Sequence, residues 1–268
     1  MKKTLLIFLA IISFTFNAGC TTKKQNPNIA KIDLAMSKMS QRAQKELVFQ
    51  DKEQFLKDLQ EVLEEEKKYT SEDLNLYYLI DKKHNVGESY VPKDLKLLVK
   101  NDLYNINRNN LYLRPDVEFQ LQTLAKAALD DGIKLLVSST YRSYEYQKTV
   151  LQYWVKVDGL EEAERESARP GTSQHQLGVA IDFGNIDDSF IKTKQGQWLE
   201  KNAAKYGWSL SFPKEYEDIT GYRWECWHYR YIGIPACEFQ KKYFNDVQQY
   251  MIEFIDLWKK LTIKENAK

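Results

Sequence analysis

Two short segments of the chain carry residue types that together can perform metal-dependent hydrolysis. The first contains His175 and Asp182, and the second, further along the chain, contains Glu225 and His228. Neutral imidazole nitrogens and a carboxylate can hold a zinc ion through three positions, which leaves the fourth for a water molecule whose pKa the metal lowers from about 15.7 towards 7. Glu225 is then available as the base. The pattern predicts a zinc hydrolase with one metal ion.

The chain has three histidines, and they differ in their surroundings. A lone histidine is usually a structural residue, so each must be weighed separately. His175 and His228 lie in Gly- and Trp-rich segments with carboxylates nearby, which favours metal binding. His84 lies in the charged and polar segment 81–85, which favours a structural role.

Further motifs accompany these residues in a fixed order. The pattern Ser-x-His-x-x-Gly-x-Ala-x-Asp spans residues 173–182, and Glu-x-x-His spans 225–228. The segment Ser-Thr-Tyr-Arg-Ser spans 139–143 and is followed by Gln147. Together these motifs resemble the zinc D-alanyl-D-alanine carboxypeptidases of the VanY type, within the LAS group that also includes lysostaphin-like peptidases and hedgehog domains. The resemblance covers about residues 76 to 235.

The resemblance implies a role for each residue of the metal centre. His175, Asp182 and His228 would bind the zinc ion. Glu225 would activate water for attack on a peptide carbonyl, and it could return the proton to the leaving amine.

The resemblance also implies residues that contact the substrate. Arg142 would stabilise the developing oxyanion or contact the substrate, because a guanidinium stays charged and donates in a planar fork. Gln147 and Ser173 match family positions that line the substrate site, where an amide and a hydroxyl could bind the peptide.

Two positions depart from the family pattern. Ser211 stands where many relatives carry arginine, so a substrate contact or a structural ion pair is expected to be absent. Cys226 replaces the proline that relatives often place after the base glutamate. Cys226 and Cys237 could form a disulfide or remain free thiols, and the sequence leaves both open.

The implied function is a D,D-carboxypeptidase that removes C-terminal D-alanine from peptidoglycan stem peptides. An L,D-carboxypeptidase or an endopeptidase with the same zinc centre is an alternative, because neighbouring loops choose the bond. A non-catalytic lipoprotein that binds peptidoglycan or protein is a second alternative. The presence of Glu225 and Arg142 argues against this second alternative, since loss of the catalytic base is the usual sign of a family member that has lost its activity.

The N-terminus predicts export and membrane attachment. Two lysines precede an apolar run over residues 4–16, which is short for a spanning helix but suits a secretory signal. Residues 17–20 resemble a bacterial lipoprotein processing site that ends at Cys20, although Asn17 stands where a large aliphatic residue is usual. Residues 1–20 are therefore predicted to be a lipoprotein signal peptide, with lipidated Cys20 anchoring the protein on a membrane facing the periplasm or cell wall.

Composition completes the predicted organisation. A net charge of +1 gives no reason to expect a nucleic acid partner. Residues 21–70 are predicted to be a tether and a helical extension, with one or two amphipathic helices between 32 and 68 that cap the domain or bind a partner. Residues 71–268 are predicted to form the zinc D-Ala-D-Ala carboxypeptidase-like domain.

The order of elements predicts an α+β fold. Helical patterns cover 116–129, 145–157, 195–206 and 236–261, and strand patterns cover 133–138, 178–183, 208–212 and 224–232. The resemblance implies a small antiparallel sheet with flanking helices. In a regular strand residues three apart face opposite sides, so Glu225 and His228 require a bend to reach one metal.

Overall fold

The computed structural model describes residues 26–69 and 76–266. The predicted signal segment at 1–20, including Cys20, lies outside the described residues, as does the predicted boundary near residue 70. Within the described ranges no helix has both the length and the apolar content needed to cross a membrane.

The described strands form two sheets. The strands are β1 (Lys96–Leu97), β2 (Asn105–Ile106), β3 (Tyr112–Leu113), β4 (Leu136–Ser139), β5 (Ala180–Phe183), β6 (Trp208–Leu210) and β7 (His228–Tyr231). A five-stranded sheet has the order β2-β4-β5-β7-β6, and β1 pairs with β3 in a separate two-stranded sheet. Pairing in the larger sheet is antiparallel except between β2 and β4, which are parallel.

The register of the central strands places the predicted metal ligands side by side. Every residue of β5 and β7 is buried, as expected of strands in the middle of a sheet. Asp182 on β5 lies opposite His228 on β7. Residues directly opposite in an antiparallel pair project from the same face with Cβ atoms about 4.5–5.5 Å apart. The sheet alone therefore brings two of the three predicted ligands together.

Helices surround the sheet and supply the rest of the core. The helices are α1 (Pro27–Met36), α2 (Gln41–Glu46), α3 (Lys52–Lys68), α4 (Pro115–Asp130), α5 (Tyr144–Asp158), α6 (Leu160–Glu166), α7 (Lys194–Asn202), α8 (Glu217–Thr220), α9 (Ile234–Tyr243) and α10 (Gln248–Asn266). Short 3-10 turns occupy Gln174–Leu177, Asp188–Lys192 and Ala203–Tyr206. The mixed α+β fold predicted from the sequence is confirmed.

Several predicted bounds shift by a few residues in the structure, and two differences matter for the site and the core. The strand predicted over 224–232 begins only at His228, because the preceding residues form a turn in which the amide of His228 donates to the carbonyl of Glu225 at 3.2 Å. The single helix predicted over 236–261 is wrong. It is two helices, α9 and α10, separated where Asn245 and Asp246 adopt φ values of 52° and 60°. Asparagine and aspartate tolerate this left-handed conformation, which a helix cannot contain.

The N-terminal extension packs on the C-terminal helices. Three helices occupy it, α1, α2 and α3, where one or two were predicted. Phe55 of α3 is fully buried among aromatic rings of the C-terminal helices, at centroid distances of 4.9 Å from Phe239 and 5.2 Å from Phe254. The extension is therefore a cap that shares the hydrophobic core, as the first of its two predicted roles requires.

Candidate metal centre

Local backbone geometry brings the third predicted ligand to the other two. His175 lies on the 3-10 turn Gln174–Leu177, immediately before β5. Gly178 ends this turn with a φ of 70°, a left-handed conformation that L side chains rarely adopt. The glycine of the sequence motif thus allows the chain to leave the turn and enter β5 within a few residues.

The three predicted ligands form one buried cluster. One ligand atom from each of His175, Asp182 and His228 lies within 4.8 Å of the others. Nε2 of His175 is 3.2 Å from Oδ2 of Asp182, and Nδ1 of His228 is 3.0 Å from Oδ1 of the same carboxylate. The imidazole rings are nearly perpendicular, with centroids 4.8 Å apart.

Hydrogen bonding determines which nitrogen of His175 faces the cluster. Its Nδ1 lies 2.7 Å from the carbonyl oxygen of Thr140, which can only accept, so Nδ1 carries the proton. The lone pair is then on Nε2, which points at Asp182. Burial lowers the pKa of His175 to about 4, so the ring is neutral near neutral pH. A neutral imidazole with an inward lone pair is the form that binds a metal.

The ring of His228 is fixed in the opposite tautomer. Its Nε2 lies 3.2 Å from Oε1 of Gln174, and Ser211 donates its hydroxyl proton to the same oxygen at 2.7 Å. Because the amide oxygen accepts, Nε2 of His228 carries the proton and Nδ1 presents a lone pair to Asp182. Metal-binding histidines are commonly oriented in this way by a partner on the second nitrogen.

The cluster fits a single divalent metal ion. Nε2 of His175 and Oδ1 of Asp182 are buried without a hydrogen-bond partner, so both are acceptors that a cation would satisfy. Ligands about 2.0–2.1 Å from a tetrahedral zinc ion are roughly 3.3 Å apart, close to the two separations above.

Glu225 lies beside the cluster without joining it. The turn before β7 brings Oε2 of Glu225 to 3.6 Å from Nδ1 of His228. This is the bend that the sequence required. Burial, and then the charge of Asp182, raise the pKa of Glu225 well above its ordinary value. A carboxyl group with a raised pKa next to a metal centre is suited to accept and return a proton.

Arg142 also lies beside the carboxylate of Asp182. Its Nη2 is 3.5 Å from Oδ2 of Asp182, and its backbone amide donates to the carbonyl of His175 at 3.2 Å. The side chain also lines both cavities next to the cluster. The guanidinium is therefore placed to donate to an oxygen atom that lies near the metal.

Two cavities of different size open beside the cluster. The smaller, with a volume of about 30 Å³, is lined by Ser173, Phe212 and Tyr222 among others. The larger, about 590 Å³, is lined by Tyr146 and Trp154 of α5 and by the loops after β2 and β5. Arg142 and Glu225 line both cavities. The cluster thus lies between a small compartment and a large one.

The other two predicted substrate-binding residues, Ser173 and Gln147, lie at different distances from the small cavity: one lines it and the other lies behind its wall. Ser173 lines the small cavity and accepts the backbone proton of His175 at 3.3 Å. Gln147 is fully buried and donates to Ser167 Oγ at 3.1 Å and to the carbonyl of Ala168 at 2.8 Å. Ser167 and Ala168 line the small cavity. Direct substrate contact by Ser173 and Gln147 stays a prediction.

Comparison with known proteins identifies the family. The model of the family VanY, described as D-alanyl-D-alanine carboxypeptidase, matches residues 110–234. The bifunctional D-Ala-D-Ala dipeptidase and D-Ala-D-Ala carboxypeptidase VanXYC of Enterococcus gallinarum is 32% identical over 171 residues, which are 60% of this chain and 86% of the relative. The chain belongs to the VanY family. It spans only 62% and 61% of the length of two other curated relatives, from Bacillus subtilis and Enterococcus faecium.

Solved structures of the VanY fold agree with this assignment. The structure of the LdcB LD-carboxypeptidase superposes with a TM-score of 0.59 at 31% identity, covering 68% of this chain and 86% of that one. A VanY D,D-pentapeptidase from a VanB-type resistance cassette, solved in complex with Zn(II), gives a TM-score of 0.54 at 28% identity and covers 66% and 97%.

Sequence reasoning missed the residue behind His228. Gln174 occupies a variable position of the VanY motif, so its role was not expected from residue type. The available signal was Ser211, which replaces the arginine of many relatives and here forms a neutral hydrogen bond to Gln174.

The sequence left the state of Cys226 and Cys237 open. In the structure both are buried free thiols.

Proposed function

We propose that this VanY-family chain is a zinc-dependent carboxypeptidase that removes the C-terminal D-alanine from peptidoglycan stem peptides. The convergence of the three ligand atoms, with Glu225 and Arg142 alongside, is the observation that carries the proposal. It is supported by relatives named as D-alanyl-D-alanine carboxypeptidases and by the VanY structure that contains Zn(II).

Each side chain has a distinct task in the proposed reaction. His175, Asp182 and His228 would hold the zinc ion, which would supply Lewis-acid polarisation of the peptide carbonyl and acidify water. Glu225 takes the proton from the attacking water and returns it to the leaving amine. Arg142 donates to the carbonyl oxygen as negative charge develops on it, and it keeps its own charge throughout.

The two cavities suit removal of one small terminal residue. The cavity of about 30 Å³ beside the metal-binding residues is much the smaller of the two and suits a small departing group. Alanine is such a residue. The 590 Å³ cavity has room for the part of the peptide that remains after cleavage.

L,D-carboxypeptidase activity is the second candidate. The LdcB LD-carboxypeptidase has 31% identity and a TM-score of 0.59 with this chain. Similarity to known structures therefore supports an L,D-specific enzyme as well as a D,D-specific one. The two activities differ in substrate: a D,D-enzyme shortens a pentapeptide stem, whereas an L,D-enzyme shortens a tetrapeptide stem.

Glu225→Gln tests the proposed chemistry. The variant keeps the size and burial of the side chain but cannot accept a proton, so we expect zinc content to remain and turnover to fall by about 100-fold or more. Mass spectrometry of pentapeptide and tetrapeptide stems measures which alanine is lost, with and without a chelator. Glu200→Gln, an exposed position on α7, is the control. Normal turnover by Glu225→Gln would exclude the base role, and a zinc-loaded native protein that cleaves neither stem would favour an endopeptidase or a binding module.

We also propose that the protein is exported and anchored to a membrane through lipid on Cys20, where its substrate lies. The support is the sequence of residues 1–20 alone. Cys20→Ala should abolish labelling by a fatty-acid analogue and release the protein from the membrane fraction. Cys237→Ala is the control, because that thiol is buried. Persistent labelling of Cys20→Ala would contradict lipidation at this residue.

A further inference from the structure

The large cavity contains more charged groups than the proposed chemistry uses. Asp182, Glu225 and Arg142 belong to the metal centre. Beyond them the walls carry Arg108 after β2 and Arg223 before β7, together with three carboxylates from Glu166, Asp187 and Asp188. Apolar contact comes from α5, through Val150 and Trp154.

Most of these charges are satisfied by the protein itself. Arg223 donates to Glu166 at 3.1 Å and to Asp188 at 2.6 Å. Asp187 accepts the backbone amide of Ser189 at 2.8 Å as the cap of a 3-10 turn. These groups bond to one another or to the backbone, so Arg223 is already paired with carboxylates of the protein.

Arg108 is different. Among the ion pairs of the described residues none involves this guanidinium. Its Nη1 donates to the hydroxyl of Tyr146 at 3.1 Å, and its carbon lies 5.7 Å from the centre of the same ring. Its Nε is buried without a hydrogen-bond partner. Nε is closed to solvent, so the outer Nη1 and Nη2 groups are the ones that can donate to an anion, and no carboxylate of the described residues neutralises their charge.

The geometry around Arg108 suits a carboxylate. A guanidinium donates through two parallel N–H groups, which match the two oxygens of a carboxylate. Because the Tyr146 hydroxyl accepts from Arg108, its own proton remains available to a ligand oxygen. Both side chains line the compartment that the retained part of a peptide would occupy.

We propose that Arg108 and Tyr146 form a subsite for a free carboxylate of the peptide, in the portion retained after cleavage. This rests on the proposed function, since the large cavity must receive that portion. In a peptidoglycan stem the glutamate is linked through its γ-carboxyl group, so its α-carboxylate is free unless it has been amidated. The subsite therefore selects stems with the free acid over stems with the amide.

Two synthetic stem peptides test the subsite, identical except that the glutamate α-group is a carboxylate in one and an amide in the other. The native zinc enzyme should show a KM about tenfold lower for the acid, the effect of one hydrogen-bonded charge. Arg108→Gln should hydrolyse the two peptides with similar KM values. Lys156→Gln, which removes a positive charge from the exposed side of α5, should keep the preference.

Binding to Glu225→Gln separates the subsite from the proposed reaction. Calorimetry with this zinc-loaded variant requires no hydrolysis, and the acid should bind about tenfold more tightly than the amide. Adding Arg108→Gln should remove that difference. Equal affinity for the two peptides, or a preference that survives Arg108→Gln, would overturn the subsite. Absence of hydrolysis by the native enzyme, with the binding preference present, would instead overturn the carboxypeptidase function alone.

Discussion

At the scale of single residues, the group that orients His228 is an amide and not a carboxylate. Oε1 of Gln174 receives one hydrogen bond from His228 and another from Ser211, and the Gln174 side chain is itself buried. A carboxylate in this position would increase the basicity of the imidazole, whereas an amide orients the ring without adding charge. Gln174 is therefore expected to influence zinc affinity without contacting the metal.

Zinc affinity should depend on whether the side chain at position 174 can accept a hydrogen bond from His228. Gln174→Leu removes the acceptor, so we expect zinc affinity to fall about 10- to 100-fold, as for other partners of metal-binding histidines. Gln174→Glu keeps an acceptor and adds charge, so affinity should be restored or increased. Competition with a chromogenic chelator measures both dissociation constants.

Gln176 provides a matched control for this experiment. It lies on the same turn and is fully buried, but it donates to the carbonyls of Gly87 and Tyr90 and not to a ligand. Gln176→Leu should destabilise the fold while the folded protein keeps its zinc affinity. Equal losses of affinity in Gln174→Leu and Gln176→Leu would show that Gln174 acts only through stability.

The ligands could be predicted from the sequence, but their partners could not. Two histidines and a carboxylate at motif spacing define chemistry by residue type alone. Gln174 contributes only because β7 turns His228 towards it, and Arg108 only because it lines the large cavity without a carboxylate partner among the described residues. Such roles depend on tertiary placement of common residue types.

At the scale of elements, the N-terminal helices are part of the folded core. Phe55 of α3 contacts the rings of Phe239, Tyr243 and Phe254, which lie on α9 and α10. Lys259 of α10 also donates to the buried carboxylate of Glu66 on α3 at 2.7 Å. These contacts join segments from opposite ends of the chain across the VanY domain.

Truncation of Phe55 should destabilise the whole protein. Phe55→Ala leaves a cavity among aromatic rings, so we expect the free energy of unfolding to fall by about 3–5 kcal/mol. Phe119→Ala is the control, because this ring on α4 is 63% exposed and its loss should cost little. Urea denaturation followed by tryptophan fluorescence and circular dichroism measures both changes.

The number of transitions provides a second readout for Phe55→Ala. If the extension and the domain share one core, both probes should report a single transition at a lower midpoint. Selective loss of helical signal at low urea, with the domain unchanged, would show that the extension folds separately.

Element boundaries were harder to predict than element types. The aromatic run over 224–232 has the composition of a strand. Because a hydrogen bond closes a turn at Glu225, β7 begins only at His228. The apolar spacing from 236 to 261 is helical on both sides of the break at Asn245 and Asp246. Periodicity indicates which face is buried, but it does not reveal a local change in backbone conformation.

At the scale of the whole molecule, the metal centre connects distant parts of the chain. His175, Asp182 and His228 come from a turn and two strands, and all three side chains are buried. The α+β class was predictable because helical and strand patterns follow one another without regular alternation. The parallel pairing of β2 with β4 was not, because two-residue strands leave no readable period.

Zinc should stabilise the folded protein as a whole. The lone pair of His175 Nε2 faces the carboxylate of Asp182, and the two groups repel each other. A divalent cation bound by both groups removes this repulsion. A ligand that binds only the folded state stabilises it by RT ln(1 + [L]/Kd), which is about 4 kcal/mol at a free zinc concentration about 1,000-fold above Kd. Urea denaturation with buffered zinc and with chelator measures the difference.

Two histidine variants make this stabilisation specific to the predicted ligands. His228→Ala should remove most of the zinc-dependent difference, because only two protein ligands remain. His84→Ala should preserve the zinc-dependent difference, because His84 lies outside the ligand cluster. Its Nδ1 is hydrogen-bonded to Oδ1 of Asp81 at 2.8 Å. If zinc stabilised His228→Ala as strongly as the native chain, the metal would be bound elsewhere. The assignment of His175, Asp182 and His228 as one centre would then fail, and the role of Glu225 with it.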